Sequence, residues 1–161
     1  MVDEKKIKEA KVVFDSFKRF LDSKNWNYTV VDEKPEEIYT FKFTVRGDDL
    51  PMDFIVMIQV DRGIIKFISP QPVKFDNEKL SEAALALCKI NDDIADGAYS
   101  LDIKKGMVLF NMTTCFRGSL LSDEVFSYLL GMSGAIVDNY NDKLLMLQKG
   151  LIDLETFLEK C

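Results

Sequence analysis

The hydrophobic pattern of the chain changes its period several times, and each change predicts a new element. Between residues 7 and 21 apolar residues recur at steps of three and four, the spacing of a helix with one buried stripe. The period then becomes two, which predicts a short strand over 26–31 and a longer strand with one buried face. The apolar side chains of this longer strand are Tyr39, Phe41, Phe43 and Val45.

The next apolar run predicts a hairpin over 54–68. Its first half, DFIVMIQV, is apolar on both faces, which is typical of a central strand covered on each side. The turn sequence DRG follows, with Gly63 in the left-handed position, and IIKFISP forms the returning strand. Pro70 and Pro72 cannot donate a hydrogen bond to a neighbouring strand, so we expect them to stop this one.

The middle of the chain predicts a second helix and a second hairpin. Asp76 is placed to cap the helix, with Phe75 and Leu80 as a hydrophobic staple. Cys88 lies on the predicted apolar stripe, which places its thiol in the core. Two alternating segments, AYSLDI and MVLFNM, then flank a turn that contains Gly106.

The last third of the chain predicts a long helix followed by a short one. Ser122 supplies an oxygen cap, and acids occupy the positive first turn. Helical spacing of apolar residues continues to Gly150, a C-cap candidate. The stretch GMSG (131–134) lies inside this helix and is interpreted as small residues where another helix packs closely. The segment LETFLEK, after Asp153, predicts a short amphipathic helix.

The order of predicted elements is α-β-β-β-β-α-β-β-α-α. Runs of strands, rather than strict alternation with helices, indicate an α+β fold in which an antiparallel sheet is flanked by helices. The chain has 161 residues and contains no linker, low-complexity tract or internal repeat. We therefore expect a single domain over 1–161.

Charge and cysteine usage narrow the class of protein. A net charge of −6 and a pI near 4.8 argue against DNA or an anionic membrane as the main partner. The three cysteines, Cys88, Cys115 and Cys161, form no CxxC pair, which suits reduced thiols in a cytosolic protein. The N-terminal residues are charged from position three, unlike a signal peptide, and the longest uncharged run (125–137) is short for a membrane span. We expect a soluble, cytoplasmic protein.

Catalytic chemistry is poorly represented in the sequence. It contains no histidine, which excludes the Ser–His and Cys–His nucleophiles and the HExxH zinc proteases. Neither of the usual glycine-rich phosphate loops occurs. Cys115, which precedes Arg117, is interpreted as a structural or incidental thiol. We therefore expect a protein that is not an enzyme, and we assign no catalytic, cofactor-binding or metal-binding residue.

Three carboxylates crowd the end of the middle helix, where the helix dipole is negative: Asp92, Asp93 and Asp96. A calcium loop starting at Asp92 would place Ile94 and Ile103 at positions that require oxygen ligands, so that pattern fails. Magnesium at these carboxylates is one alternative, and a solvent-exposed loop before the hairpin is the other.

Four stretches of the sequence resemble the YbjN-like family of bacterial proteins, described as candidate sensory transduction regulators with a fold like that of type III secretion chaperones. They are GIIKFISPQPV, ALALCKIND, DGAYSLDIKKGMVLF and IVDNYNDKLLMLQKG, and they span about residues 20–160. The resemblance implies that Asn91 closes the middle helix and hydrogen-bonds the connection into the hairpin, with the acids solvated beside it. The chain departs from secretion chaperones in having four predicted strands before this helix, where they have three.

The resemblance implies a non-enzymatic protein-interaction module, a homodimer with a regulatory or chaperone-like role. A protein partner is expected on an exposed sheet face or strand edge, without nucleic acid, membrane or cofactor. Two alternatives are a secretion chaperone for an effector, and a divalent-ion or small-ligand binding protein that uses the Asp92, Asp93 and Asp96 loop. Flexible methionines near the strands suit either an adaptable binding surface or the core. They are Met52, Met57, Met107 and Met112.

Overall fold

A computed structural model describes residues 3–160 of the chain. This part contains four helices and six strands in the predicted order, so the predicted α+β fold is confirmed. One 3-10 turn, Asn77–Lys79, precedes the second helix. The elements are α1 (Glu4–Ser23), β1 (Thr29–Lys34), β2 (Ile38–Arg46), β3 (Pro51–Gln59), β4 (Ile64–Lys74), α2 (Leu80–Asp93), β5 (Ala98–Asp102), β6 (Met107–Cys115), α3 (Asp123–Gln148) and α4 (Leu154–Lys160).

All six strands form one antiparallel sheet in the order β1-β2-β3-β4-β6-β5. The first four strands are successive neighbours. β6 then pairs with β4, from Ile64–Cys115 to Lys74–Met107, and β5 lies outside β6. Helix α2 and strand β5 therefore connect β4 to its neighbour β6, and β1 and β5 are the edge strands.

Helices α1 and α3 cover one face of the sheet, which we call the inner face. The ring of Phe14 stacks on Tyr39 with centroids 4.4 Å apart. Phe17 is fully buried, and its ring lies 5.1 Å from that of Phe41 and 5.2 Å from that of Phe126 on α3. The aromatic residues predicted to face inward from β2 thus form the core with both helices, since apolar area removed from water stabilises the fold.

The predicted ends of α3 are confirmed by their hydrogen bonds. Ser122 precedes the helix, and its hydroxyl accepts a bond from the Val125 N–H at 3.4 Å. After the helix, Gly150 has a φ of 70° and its N–H donates to the Leu147 carbonyl at 3.0 Å. These are the oxygen cap and left-handed C-cap expected from the sequence.

Two strand boundaries differ from the predictions. β1 begins at Thr29 rather than at residue 26, because Trp26 closes the end of α1: its N–H donates to the Leu21 carbonyl at 3.0 Å. β4 continues through Pro70 and Pro72 to Lys74, so the prediction that these prolines stop the strand is wrong. Pairing of β3 with β4 ends at Ile55–Ile68. The missing N–H of each proline therefore removes no bond between these two strands.

The start and the stripe of α2 also differ from the predictions. Asp76 lies before the 3-10 turn and its side chain makes no capping bond. The predicted core position of Cys88 is wrong, because its side chain is exposed. The buried stripe of the helix consists of Ala83, Ala86, Leu87 and Ile90, and residue 88 lies about 100° around the helix from residue 87. Cys161 lies outside the described residues.

Candidate functional site on the outer face of the sheet

No helix in residues 3–160 covers the second face of the sheet, which we call the outer face. The register of the strands identifies which side chains lie on the outer face, because directly paired residues point to the same side of the sheet. Except for Thr40, the outward residues of β2, β3, β4 and β6 are half-buried or exposed. The prediction that β3 is covered on both sides is therefore wrong. We call the half-buried apolar residues at the middle of this face the apolar centre: Ile55, Met57, Ile64, Ile68, Pro70 and Leu109.

Two lysines border the apolar centre. Lys42 on β2 pairs with Ile55, and Lys66 on β4 pairs with Met57. Within the described part of the chain, neither ammonium group makes a hydrogen bond or an ion pair. Lys66 is half-buried and is flanked along β4 by outward isoleucines. Both lysines therefore add unneutralised positive charge to an apolar surface.

The acidic groups of the outer face are already engaged or lie at its edge. The Asp53 carboxylate accepts a hydrogen bond from the Thr44 hydroxyl at 2.6 Å. Asp102 accepts backbone N–H bonds from the hairpin turn, the shorter being 3.0 Å from Lys104. Asp32 lies on edge strand β1. Basic side chains outnumber acidic ones on this face: Lys34, Lys42, Arg46, Lys66 and Lys74 against Asp32, Asp53 and Asp102.

An open hollow of about 620 Å³ lies on the outer face where β4 separates from β3. Its lining includes Thr29, Lys42, Asp53, Ile55 and Pro70. The hollow brings one lysine and part of the apolar centre to the same concave surface. Concave apolar surfaces with a few polar groups are the usual shape of binding sites.

The edge strands offer less to a partner than the outer face does. β1 has an irregular register between Val30 and Asp32, and β5 contains only five residues. Short or irregular edges discourage the addition of a further strand. Both edges of the sheet are therefore poorly suited to pairing with a further strand.

The methionines divide between the two faces. Met52 and Met112 are buried in the core, each 5% exposed. Met57 belongs to the apolar centre, and Met107 is exposed at the end of β6. The core interpretation is therefore correct for Met52 and Met112, while an adaptable binding surface at Met57 and Met107 stays a prediction.

The structure separates the three carboxylates of the acidic loop. Asp93 pairs with the Lys89 ammonium at 2.7 Å, and this hydrogen bond raises the pKa of Lys89. Asp96 accepts a hydrogen bond from the Tyr128 hydroxyl, which raises the pKa of that phenol. Among the described residues Asp92 makes no hydrogen bond or ion pair, and its charge also raises the pKa of Lys89. Across residues 3–160, no group of three or more His, Cys, Asp or Glu residues is arranged to hold a metal ion.

Asn91 makes the contacts that the resemblance implied. Its side-chain oxygen accepts the Tyr99 N–H at 2.7 Å, and its amide donates to the Tyr99 carbonyl at 3.0 Å. Burial, and to a lesser extent the nearby Tyr140, raise the pKa of the Tyr99 phenol. Asn91 therefore fixes the start of β5 to the last turn of α2.

The small residues of α3 do not have the helix partner predicted for them. A Cβ atom added at Gly131 or Gly134 would have no atom within 4 Å. The two glycines instead line an open groove of about 380 Å³ with Trp26, Met52 and Leu130. Close helix packing at GMSG is therefore wrong for the described part of the chain.

Sequence reasoning assigned no role to Lys42 or Lys66, although a signal for both was present. Each lies between apolar residues in a strand pattern, in FKF and IKF. A lysine that alternates with aromatic or aliphatic residues points away from the core. What the pattern could not show is that both lysines lie on a face that no helix among the described elements covers.

Comparisons with known proteins show a similarity in fold. No family model matches the sequence, and no curated protein matches it either. Among solved structures, the chain is similar to YbjN from E. coli, described as a candidate transcription regulator, with a TM-score of 0.57. The match covers 81% of this chain and 92% of that chain at 12% sequence identity. This similarity confirms the predicted YbjN-like fold. Separately, none of the helices described here has the length and apolar content needed to cross a membrane.

Proposed function

We propose that this chain, which shares the fold of YbjN, is a non-enzymatic module that binds a protein partner on the outer face of its sheet. Its role is that of a regulator or a chaperone-like adaptor in the cytoplasm. The lack of histidine in the sequence supports a binding role over a catalytic one.

The apolar centre is the observation that carries this proposal. A sheet is normally stabilised by burying its apolar face against a second layer. Here the inner face is buried by α1 and α3, while the apolar centre has no covering layer within residues 3–160. Contiguous apolar surface of this kind marks an interaction site in soluble proteins.

Site-specific photocrosslinking tests the proposal directly. A photoreactive amino acid replaces Thr113, which is exposed on the outer face, and in a control protein it replaces Lys18, which is exposed on α1. We expect a reproducible protein adduct from cell lysate at position 113 and none of the same mass at position 18. No adduct at position 113, or the same adduct at both positions, would contradict the proposal.

A matched pair of double variants tests which surface holds the partner. Ile55→Ser with Ile68→Ser disrupts the apolar centre. Leu120→Ser with Leu151→Ser removes apolar side chains that are 80% and 68% exposed outside the sheet. We expect the first pair to abolish the adduct and the second pair to leave it unchanged. Circular dichroism and thermal melting must show that both proteins remain folded.

We also propose that the protein is a homodimer, as the resemblance implied. Size-exclusion chromatography with light scattering measures this, because the chain has a mass of 18.5 kDa and a dimer has twice that mass. A single peak at the mass of one chain over the accessible concentration range would contradict a dimer.

A further inference from the structure

We propose that the outer face binds an acidic amphipathic helix of the partner protein, with carboxylates placed to neutralise Lys42 and Lys66. This inference rests on the proposed function and specifies the chemistry of the partner. It is carried by the position of two unpaired cations beside the apolar centre.

The outer face differs in charge from the chain as a whole. The whole chain carries −6, yet basic side chains outnumber acidic ones on the outer face. Lys66 is half-buried and has no partner among the described residues. An apolar surface that covered the centre would remove water from this ammonium group without replacing its charge, which is strongly unfavourable. A stable occupant must therefore supply a carboxylate.

The hydrogen-bonding groups of the occupant's backbone favour a helix. An extended segment lying across the face of a sheet would leave its own N–H and carbonyl groups unpaired, whereas a helix satisfies them internally. Helices are the elements that cover sheet faces in layered folds. The short and irregular edges, β5 and β1, do not favour strand addition.

The spacing of the two lysines is close to the distance between residues i and i+7 of a helix. Lys42 pairs with Ile55, which pairs with Ile68, and Lys66 lies two residues before Ile68 on β4. Two strand separations and a two-residue offset place the lysine Cα atoms about 12 Å apart. Residues i and i+7 of a helix are about 10.5 Å apart along its axis. Acids at positions i and i+7 would lie close to the two lysines. Apolar residues at i+3 and i+4 would contact the apolar centre between them.

Two other occupants fit the outer face less well. A second copy that presented the same face would bring its lysines against Lys42 and Lys66, and like charges oppose that contact. Nucleic acid would meet Asp32 and Asp53 on the same face, and the outward strand positions within residues 3–160 carry no aromatic side chain on which a base could stack. The whole chain would also repel it, with a charge of −6.

Selection from a displayed peptide library tests the chemistry. The probe is a randomised library of helical peptides, each about 16 residues long, selected on the wild-type protein. We expect the enriched peptides to be acidic and amphipathic, with acids seven residues apart, and their binding to weaken as salt is added. Lys42→Glu with Lys66→Glu should weaken binding about tenfold or more. Lys8→Glu with Lys18→Glu makes the same change of charge on α1 and should leave binding within about twofold.

The outcomes separate this inference from the proposed function. Enrichment of neutral or basic peptides whose binding is lost in Ile55→Ser with Ile68→Ser would overturn the acidic helix and leave a protein-binding face. Failure to enrich any peptide that depends on the apolar centre would overturn the inference, and failure of photocrosslinking as well would overturn the proposed function. The acidic helix is also overturned if Lys42→Glu with Lys66→Glu abolishes binding to a DNA duplex or dissociates a dimer of the protein.

Discussion

The two faces of the sheet are both apolar at the middle, but within residues 3–160 helices cover only the inner one. Strand β4 shows the contrast within four residues. Ile65 points inward and is 0% exposed, while Ile68 points outward and is half-buried. Their side chains are chemically identical, so the difference reflects the packing of helices against the inner face. The comparison teaches that an apolar residue in a strand identifies a surface to be covered, without showing whether this chain supplies the cover.

The largest expected effect is a difference in stability between a substitution on the inner face and one on the outer face. Ile65→Ala should destabilise the fold by about 2–5 kcal/mol, because it leaves a cavity in the core. Ile68→Ala should cost about 1 kcal/mol, because its side chain is already partly in water. Urea unfolding of both variants measures the two values. Equal losses of stability would show that the outer face is buried in the free protein.

Alanine substitutions at two turn glycines extend the comparison of buried and open sites. Gly106 is buried with a φ of 69°, and a Cβ added there would overlap the Phe75 carbonyl oxygen. Gly118 has a φ of 70°, but a Cβ there would meet no atom within 4 Å. We expect Gly106→Ala to cost about 3 kcal/mol, from backbone strain and steric overlap. Gly118→Ala should cost about 1 kcal/mol from strain alone. Similar unfolding midpoints for the two variants would contradict the contact with Phe75.

The connection from α2 to β5 gives the next effect in size. Asn91→Ala removes both hydrogen bonds to the Tyr99 backbone and should cost about 1–3 kcal/mol. Asp92→Ala removes a neighbouring side chain that makes no hydrogen bond or ion pair with the described residues, and it should change stability by less than about 0.5 kcal/mol. Thermal unfolding of the two proteins distinguishes these roles. If Asp92→Ala proved the more damaging change, the acidic loop would have a function that this account lacks.

Alkaline pH tests the burial of the inner face without a substitution that leaves a cavity in the core. Burial raises the pKa of Tyr99 in the folded state above that of an exposed phenol, near 10. Its contribution to stability is therefore complete below about pH 10 and is lost as the pH rises toward the folded pKa. As the pH rises from about 10 toward the folded pKa, the wild type should lose about 1.4 kcal/mol of stability per pH unit more than the Tyr99→Phe variant does. Parallel pH profiles in urea unfolding would contradict the burial of this phenol.

The smallest effect concerns the open groove on α3. Gly131 lies within the helix, where glycine is about 1 kcal/mol less favourable than alanine. A Cβ there would meet no atom within 4 Å. Gly131→Ala should therefore stabilise the protein by about 0.5–1 kcal/mol in chemical denaturation. A loss of stability would show that the groove is occupied in solution.

The sequence was sufficient to predict the order of elements and the YbjN-like fold. Period-two alternation identified the inward aromatic residues of β2, and local chemistry identified the ends of α3 at Ser122 and Gly150. These predictions are correct because each depends on neighbours within a few residues. The role of Asn91 came from the resemblance, because its contact with Tyr99 joins two elements across a connection.

The wrong predictions depended on contacts that a linear pattern does not contain. Whether Pro70 ends β4 depends on where β3 stops pairing with it. Cys88 was assigned to the core because spacing alone does not show which of two adjacent apolar stripes meets β5 and α4. The candidate site was only partly predicted, since nothing in FKF or IKF shows that the described helices leave Lys42 and Lys66 uncovered.

Radical footprinting of the methionines tests most directly whether the outer face is the binding surface. Met57 lies in the apolar centre, and Met52 and Met112 lie in the core. We predict that oxidation labels Met57 in the free protein and fails to label it in the complex with the photocrosslinked partner. Met52 and Met112 should stay protected in both. Equal labelling of Met57 with and without the partner would contradict the account.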